Sequence, residues 1–138
     1  MNSSLRVTVH ADGGARGNPG PAAAAAVITG PDGAVLDEAS ARLGETTNNV
    51  AEYRALALGL ERARELGADE VDVVMDSELV VKQVQGRYRV RSPDLAPLHR
   101  AALDALAGFR TWTIRAVRRA ENARADALVN AALDSPAG

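Results

Sequence analysis

Cysteine is absent from the 138-residue chain, which excludes disulfides and thiolate chemistry and leaves the redox compartment open. Histidine is nearly as scarce: His10 and His99 are too few for a histidine-rich zinc site, so any bound metal would take oxygen ligands. Long apolar runs are missing as well. The longest small-apolar stretch, Ala22 to Ile28, is far too short to cross a bilayer. Met1 to Arg6 carries neither a charged leader nor an apolar segment of signal-peptide length. A cytoplasmic protein without membrane attachment is the expectation. No helix pattern shows an extended second apolar face, so a monomer is expected too. The length suits one domain over residues 1–138, with a core from about 5 to 133, which buries roughly two thirds of its extended surface.

Sixteen basic against eighteen acidic side chains give a net charge of -2, on its own mildly unfavourable to a polyanionic partner. The distribution is uneven. Residues 82 to 124 hold ten of the sixteen basic side chains, with only Asp94, Asp104 and Glu121 as acids. One part of the chain is therefore basic while the rest supplies most of the carboxylates. An ordinary solvated surface accounts for this as well as a nucleic-acid-binding face does.

Alternation of Leu5, Val7 and Val9 with Arg6, Thr8 and His10 predicts a half-buried strand. It is expected to stop at Asp12-Gly13-Gly14, where a turn-rich loop, Arg16-Gly17-Asn18-Pro19-Gly20-Pro21, begins. Strands over 22–29 and 34–43, joined by Gly30-Pro31-Asp32-Gly33, complete a three-stranded meander. Thr46-Thr47-Asn48-Asn49 supplies capping residues for a helix closed by Gly67. Val71 to Met75 reads as a short buried strand, and 77–85 and 93–106 as helices. Thr111 to Val117 is the last strand and Asn122 to Leu133 the last helix. This order suits an α/β fold with a five-stranded mixed sheet, three antiparallel strands then two parallel, flanked by helices.

Four acids stand at element boundaries in this scheme. Asp12 and Asp76 follow strands, where ligands gather in α/β sheets; Glu52 and Asp126 lie near helix starts. Ala51, Ala125 and Ala127 bracket the helical pair. A carboxylate among small apolar residues tends to face inward, where an unpaired charge costs several kcal/mol unless ligated or neutralised. Four together would repel, raise at least one pKa and demand a cation. Hard oxygen ligands favour Mg²⁺ or Mn²⁺. Two such ions about 3.5–4 Å apart can bridge a scissile phosphate, one lowering the pKa of the attacking water and the other stabilising the leaving oxygen. Singly, each acid has an ordinary explanation: a turn residue at Asp12, first-turn charges at Glu52 and Asp126, and an N-cap at Asp76. All four in one small domain favour a shared site. The glycines from Gly13 to Gly20 fit neither a dinucleotide fingerprint nor a P-loop, since no Gly-Lys-Ser/Thr follows and the segment leads into a strand.

The stretches Asp12-Gly13-Gly14-Ala15-Arg16-Gly17-Asn18-Pro19-Gly20, Thr46 through Tyr53, Asp76-Ser77 and Asn122 through Asp126 together resemble the type 1 ribonuclease H family, over Leu5 to Leu133. The resemblance implies the ribonuclease H-like sheet and cleavage of the RNA strand of RNA/DNA hybrids to 5'-phosphate products. It also implies two metal ions, normally Mg²⁺, with Asp12, Glu52, Asp76 and Asp126 as the catalytic ligands. Asn18, Asn48 and Asn49 look like residues that enter the hybrid's minor groove, and Thr47 resembles the one gripping a DNA-strand phosphate. Gly13 and Ser77 belong to the implied substrate-binding set. Amides and hydroxyls suit the 2'-OH that distinguishes RNA from DNA.

Two departures stand out. Many members carry a histidine ahead of the last carboxylate; here Val117-Arg118-Arg119-Ala120-Glu121 occupies that loop. Arg119 resembles the arginine of one branch of the family and joins the catalytic set; it attracts phosphate but cannot shuttle protons near neutral pH. A long basic insertion found in some bacterial members is replaced by Gly86 to Pro93, as in the handle-less branch. Arg87, Arg89 and Arg91 in it are placed to touch phosphates, with Tyr88 packing below them. Tyr53 and Trp112 are expected in the core rather than as stacking platforms. A nuclease that also cuts double-stranded RNA is the wider alternative, and a hybrid-binding module without turnover is the alternative of another class.

Overall fold

The computed structural model describes residues 4–135; the Pro136-Ala137-Gly138 tail expected to fray lies outside them. Strands β1 (Arg6–Ala15), β2 (Gly20–Thr29) and β3 (Val35–Thr46) form the meander, and α1 (Asn48–Glu65) leads to β4 (Glu70–Met75). Helices α2 (Glu78–Val84) and α3 (Ala96–Ala107) precede β5 (Thr111–Ala116), after which a 3-10 turn at Arg119–Asn122 opens into α4 (Ala123–Asp134). The sheet order is β3-β2-β1-β4-β5. β2 is antiparallel to both its neighbours, whereas β4 runs parallel to β1 and β5 parallel to β4. This is the five-stranded mixed sheet expected from the residue pattern.

Alternation divides the strand side chains between two faces. Val7, Val9 and Ala11 of β1 join Val71, Val73 and Met75 of β4 in the main core, closed by Tyr53, Leu56 and Leu60 of α1, Val80 and Val84 of α2, and Leu106 of α3. Ala23 and Ala25 of β2 face the other way, against Val129 of α4. With helices on both faces of β2, every residue from Ala22 to Ile28 is buried, which explains why that strand reads as an unbroken small-apolar run. Tyr53 is fully buried and Trp112 packs partly buried against the core, as expected. Among the described residues no helix is long and apolar enough to cross a membrane.

Some boundaries differ from the sequence expectation, and two of the differences bear on the acids. β1 does not stop at Asp12: it continues through Gly13 and Gly14 to Ala15, pairing Asp12 with Ala25 and Gly13 with Ala24. Asp12 is thus a strand residue, and Gly13 permits close approach of another backbone. α1 begins at Asn48 under a Thr47 cap, whose side chain accepts from Val50 N; Glu52 therefore lies in the second turn, not the first. α3 begins at Ala96, with Pro93 in the turn before it, and the 3-10 turn delays α4 to Ala123.

Gly13 has no room for a side chain. A Cβ there would overlap the Ala51 carbonyl and the Glu52 backbone nitrogen, so β1 and α1 meet backbone to backbone one residue from Asp12. Gly13→Ala is expected to push α1 off the strand and destabilise the fold by about 1–3 kcal/mol or more. Urea denaturation measures it, and an unchanged midpoint would contradict the close approach.

Candidate active site

Two strands of the sheet, β1 and β4, and the starts of two helices, α1 and α4, meet at a common place. Gly13 draws α1 onto β1, which sets Glu52 beside Asp12. β4 runs parallel to β1, so Asp76, the first residue past β4, emerges on the same edge. Asn122 brings in α4: its Nδ2 donates to the carbonyl of Ala11 at 2.9 Å, and Asp126 follows four residues later on the same helical face. The four carboxylates line one pocket of about 400 Å³, together with Gly13, Gly14, Ala15, Arg16, Asn48, Arg119 and Asn130.

The pocket is electrostatically strained. Asp12 is buried, and its carboxyl is pushed up to about 8, first by burial and then by the charges and hydrogen bonds of Asp76 and Asp126. Burial also raises Glu52, to about 7, against the lowering effect of a hydrogen bond with Ser77. One cation answers directly: Arg119 Nη2 donates to Asp126 Oδ1 at 3.0 Å, which raises the arginine's pKa further.

Hard carboxylate oxygens, crowding and raised proton affinity are the donor chemistry that suits Mg²⁺ or Mn²⁺. The side chains are gathered without being drawn into a closed ligand shell. Among the described residues, no three His, Cys, Asp or Glu side chains stand arranged to hold an ion as they are. The reason lies in the partners: Asp126 is turned to Arg119 and Glu52 is engaged by Ser77. The four acids fit a divalent cation in kind and in shared pocket.

The other sequence candidates fall into three groups. Asn18 and Asn48 stitch the glycine-rich loop to the start of α1: Asn48 Oδ1 accepts from Ala15 N at 2.7 Å and Asn18 Oδ1 from Asn48 N at 3.1 Å. Thr47 caps α1, and Asn49 sits next to Asn48 in its first turn. Ser77 is buried rather than on the rim. Its hydroxyl caps α2 by accepting from Val80 N and also engages Glu52. Arg87 and Arg89 are exposed on the loop after α2, with Arg87 reaching Gln85 Oε1 at 3.4 Å; neither lines the carboxylate pocket. Tyr88 does not pack beneath them. It is exposed, with Lys82 Nζ 5.0 Å from the ring centroid.

Arg16, Asn122 and Asn130 escaped the sequence reading of the site. Asn122 and Asn130 lie four residues before and after Asp126, the spacing that shares a helical face, and that signal was available. Arg16 lies in the Asp12 to Gly20 stretch, but only the folded loop carries it to α4.

Residues 10–132 match the family model described as reverse transcriptase-like. The bifunctional protein Rv2228c of Mycobacterium tuberculosis is 48% identical over 134 residues. The solved N-terminal RNase H domain of Rv2228c superimposes with a TM-score of 0.92 over 95% of each chain. RNase H1 of Halobacterium salinarum is 46% identical, with a TM-score of 0.91 over 94% of this chain and 98% of that one. The chain belongs to the ribonuclease H family. LC11-RNase H1, solved in complex with an RNA/DNA hybrid, is 46% identical, with a TM-score of 0.88 over 93% of this chain and 96% of that one. The five-stranded sheet with its flanking helices is the ribonuclease H fold. The chain spans 37% of the length of Rv2228c and 65% of the curated halobacterial ribonuclease HI.

The raised carboxyls set a sign for pH dependence. Between the unfolded value near 4 and the folded values of about 8 and 7, the folded protein holds protons that the unfolded chain has released. Stability contributed by these protons is therefore present at low pH and lost as pH rises through the folded values, by up to ~1.4 kcal/mol per pH unit for one proton. Chelator-treated protein is expected to melt at lower temperature at about pH 8 than at about pH 5, and Asp12→Asn should flatten the slope. A melting temperature that rises over that range in the wild type would refute the buried, crowded site.

Proposed function

We propose that this ribonuclease H domain is an endoribonuclease that hydrolyses the RNA strand of RNA/DNA hybrids. The convergence of Asp12, Glu52, Asp76 and Asp126 on one pocket carries the proposal. The hybrid found with LC11-RNase H1, a relative of 46% identity, supports the substrate. A pure binding module gains nothing from four carboxylates facing a phosphate.

Asp12, Glu52, Asp76 and Asp126 are assigned as ligands of two Mg²⁺ ions, with Mn²⁺ as a substitute. Such ions supply charge stabilisation at the phosphate and a lowered pKa for an attacking water. Water attacks phosphorus, the 3'-oxygen leaves, and the products end in 5'-phosphate without a covalent protein intermediate. Ser77 holds Glu52 from behind and acts as a positioning residue. Arg119 balances Asp126 while the site lacks substrate, then offers its remaining donors to phosphate; an arginine cannot relay the proton.

The rim supports recognition of the hybrid. With the Oδ1 atoms of Asn18 and Asn48 occupied by backbone N–H groups, their Nδ2 groups are the ones to donate to ribose or base acceptors in the minor groove, beside Asn49. Thr47 Oγ1 accepts from Val50 N and keeps its own proton for a DNA-strand phosphate. Arg87 and Arg89 provide outlying phosphate contacts independent of sequence.

Labelled RNA/DNA hybrid incubated with Mg²⁺ or Mn²⁺ should lose its RNA strand, and a double-stranded RNA arm defines the breadth of substrate. Asp76→Asn should abolish cleavage by at least about a hundredfold while leaving the melting curve cooperative. A folded wild-type protein that leaves the RNA intact would end the proposal. Hybrid affinity should fall steeply between low and moderate salt, as expected for phosphate contacts that release counterions. Affinity independent of salt would remove Arg87 and Arg89 from the interface.

A further inference from the structure

Arg16 sits in the loop between β1 and β2 and reaches across to α4. Its Nη1 is 2.6 Å from Asp134 Oδ1, and its Nη2 donates to Asn130 Oδ1 at 3.5 Å. Asn130 in turn donates from Nδ2 to the Asp126 carbonyl at 3.1 Å. Arg16 and Asn130 line the same pocket as the four carboxylates.

The two arginines of the pocket are held differently. Arg119 is paired with Asp126, one of the four clustered acids. Arg16 is paired with Asp134, in the last turn of α4 and outside the pocket lining. The side chains of Arg16 and Asp134 are 47% and 67% exposed, and an ion pair so open to water contributes little to stability. A phosphodiester offers two non-bridging oxygens to a planar guanidinium, a charge-assisted match that is stronger than an exposed carboxylate contact. A polyanion approaching four carboxylates also needs a cation that those carboxylates have not already engaged.

We propose that Arg16 is a substrate-contact residue. It binds a phosphate of the RNA strand adjoining the one that lies over the carboxylates, with Asn130 orienting the guanidinium. Asp134 is a competing anion that holds the arginine against α4 until nucleic acid displaces it. The strand follows from the pocket, because the phosphate within reach of Arg16 belongs to the strand being cut. This inference rests on the hybrid-cutting function proposed above.

Arg16→Ala, Arg16→Lys and Asp134→Asn, assayed with Mg²⁺ and labelled hybrid over a salt series, test it. Arg16→Ala should raise KM roughly fivefold and leave kcat within about twofold, with a salt slope of log(kcat/KM) shallower by about one. Arg16→Lys should recover part of the loss. Asp134→Asn should lower KM, because it removes the competitor. Opposite signs for the two partners of one ion pair are the signature of substrate contact. If Arg16 merely pins α4, Arg16→Ala and Asp134→Asn break the same bond, and both should lower the melting temperature and move KM in the same direction; that result would overturn the inference. So would an Arg16→Ala enzyme with wild-type KM and salt slope. Wild-type protein that cuts no hybrid would instead overturn the parent proposal, so the two failures are distinguishable.

Discussion

The contact on which the site depends is between backbones. Gly13 of β1 lies against the Ala51 carbonyl and Glu52 nitrogen of α1 so closely that no Cβ fits. On the other side of Asp12, the Ala11 carbonyl accepts from Asn122 at the entry to α4. The residues flanking Asp12 thus tie down the two helices that deliver Glu52 and Asp126, while parallel pairing of β4 with β1 delivers Asp76. Two carboxylates are set by main-chain contacts around Asp12, and Asp126 by a side-chain hydrogen bond to the main chain beside it. Side-chain packing elsewhere, such as the Val7, Val9, Val71 and Val73 layer, keeps the sheet and α1 rigid enough for these contacts to hold. Asn122 is itself nearly fully buried, and among the described residues its Oδ1 has no hydrogen-bond partner; the fold tolerates that cost at the joint between β1 and α4.

That geometry concentrates negative charge where water is scarce, and the fold responds in two ways. Asp12 and Glu52 hold protons more tightly than ordinary carboxyls, and Arg119 leans on Asp126. Both are partial answers to a site that a divalent cation would satisfy. The net charge of -2 therefore says little about polyanion binding: four of the eighteen acids line the pocket, whereas Arg87, Arg89 and Arg118 remain exposed. Local arrangement, not total charge, decides which surface a phosphate meets.

Much of this was legible along the chain. Period-two alternation in β1 located the first strand, and the capping run Thr46-Thr47-Asn48-Asn49, with Gly67 at the far end, marked out α1, whose cap proves to be Thr47. The glycines after Asp12 misled, because glycine marks both a turn and a strand approached by another backbone; only the presence of α1 distinguishes the two. Ser77 was read only as part of the substrate-binding set, and its hydroxyl is turned inward to the α2 cap and Glu52. Tyr88 looked like packing, yet the loop leaves it beside Lys82 in solvent. In each case residue type and spacing left two environments open.

The amino-acid order by itself determined the element sequence, the exclusion of thiolate and histidine-rich metal chemistry, and the four acids available for a cluster. These follow from composition and from periodicities that span a few residues. Tertiary structure alone decided that the acids share a pocket, that burial raises Asp12 further than Glu52, and which anion holds Arg16 and Arg119. Those outcomes depend on burial and on through-space distance between positions far apart in the chain, such as Asn122 and the Ala11 carbonyl, 111 residues away. Coulombic and desolvation energies respond to that distance and burial, and no local pattern encodes either.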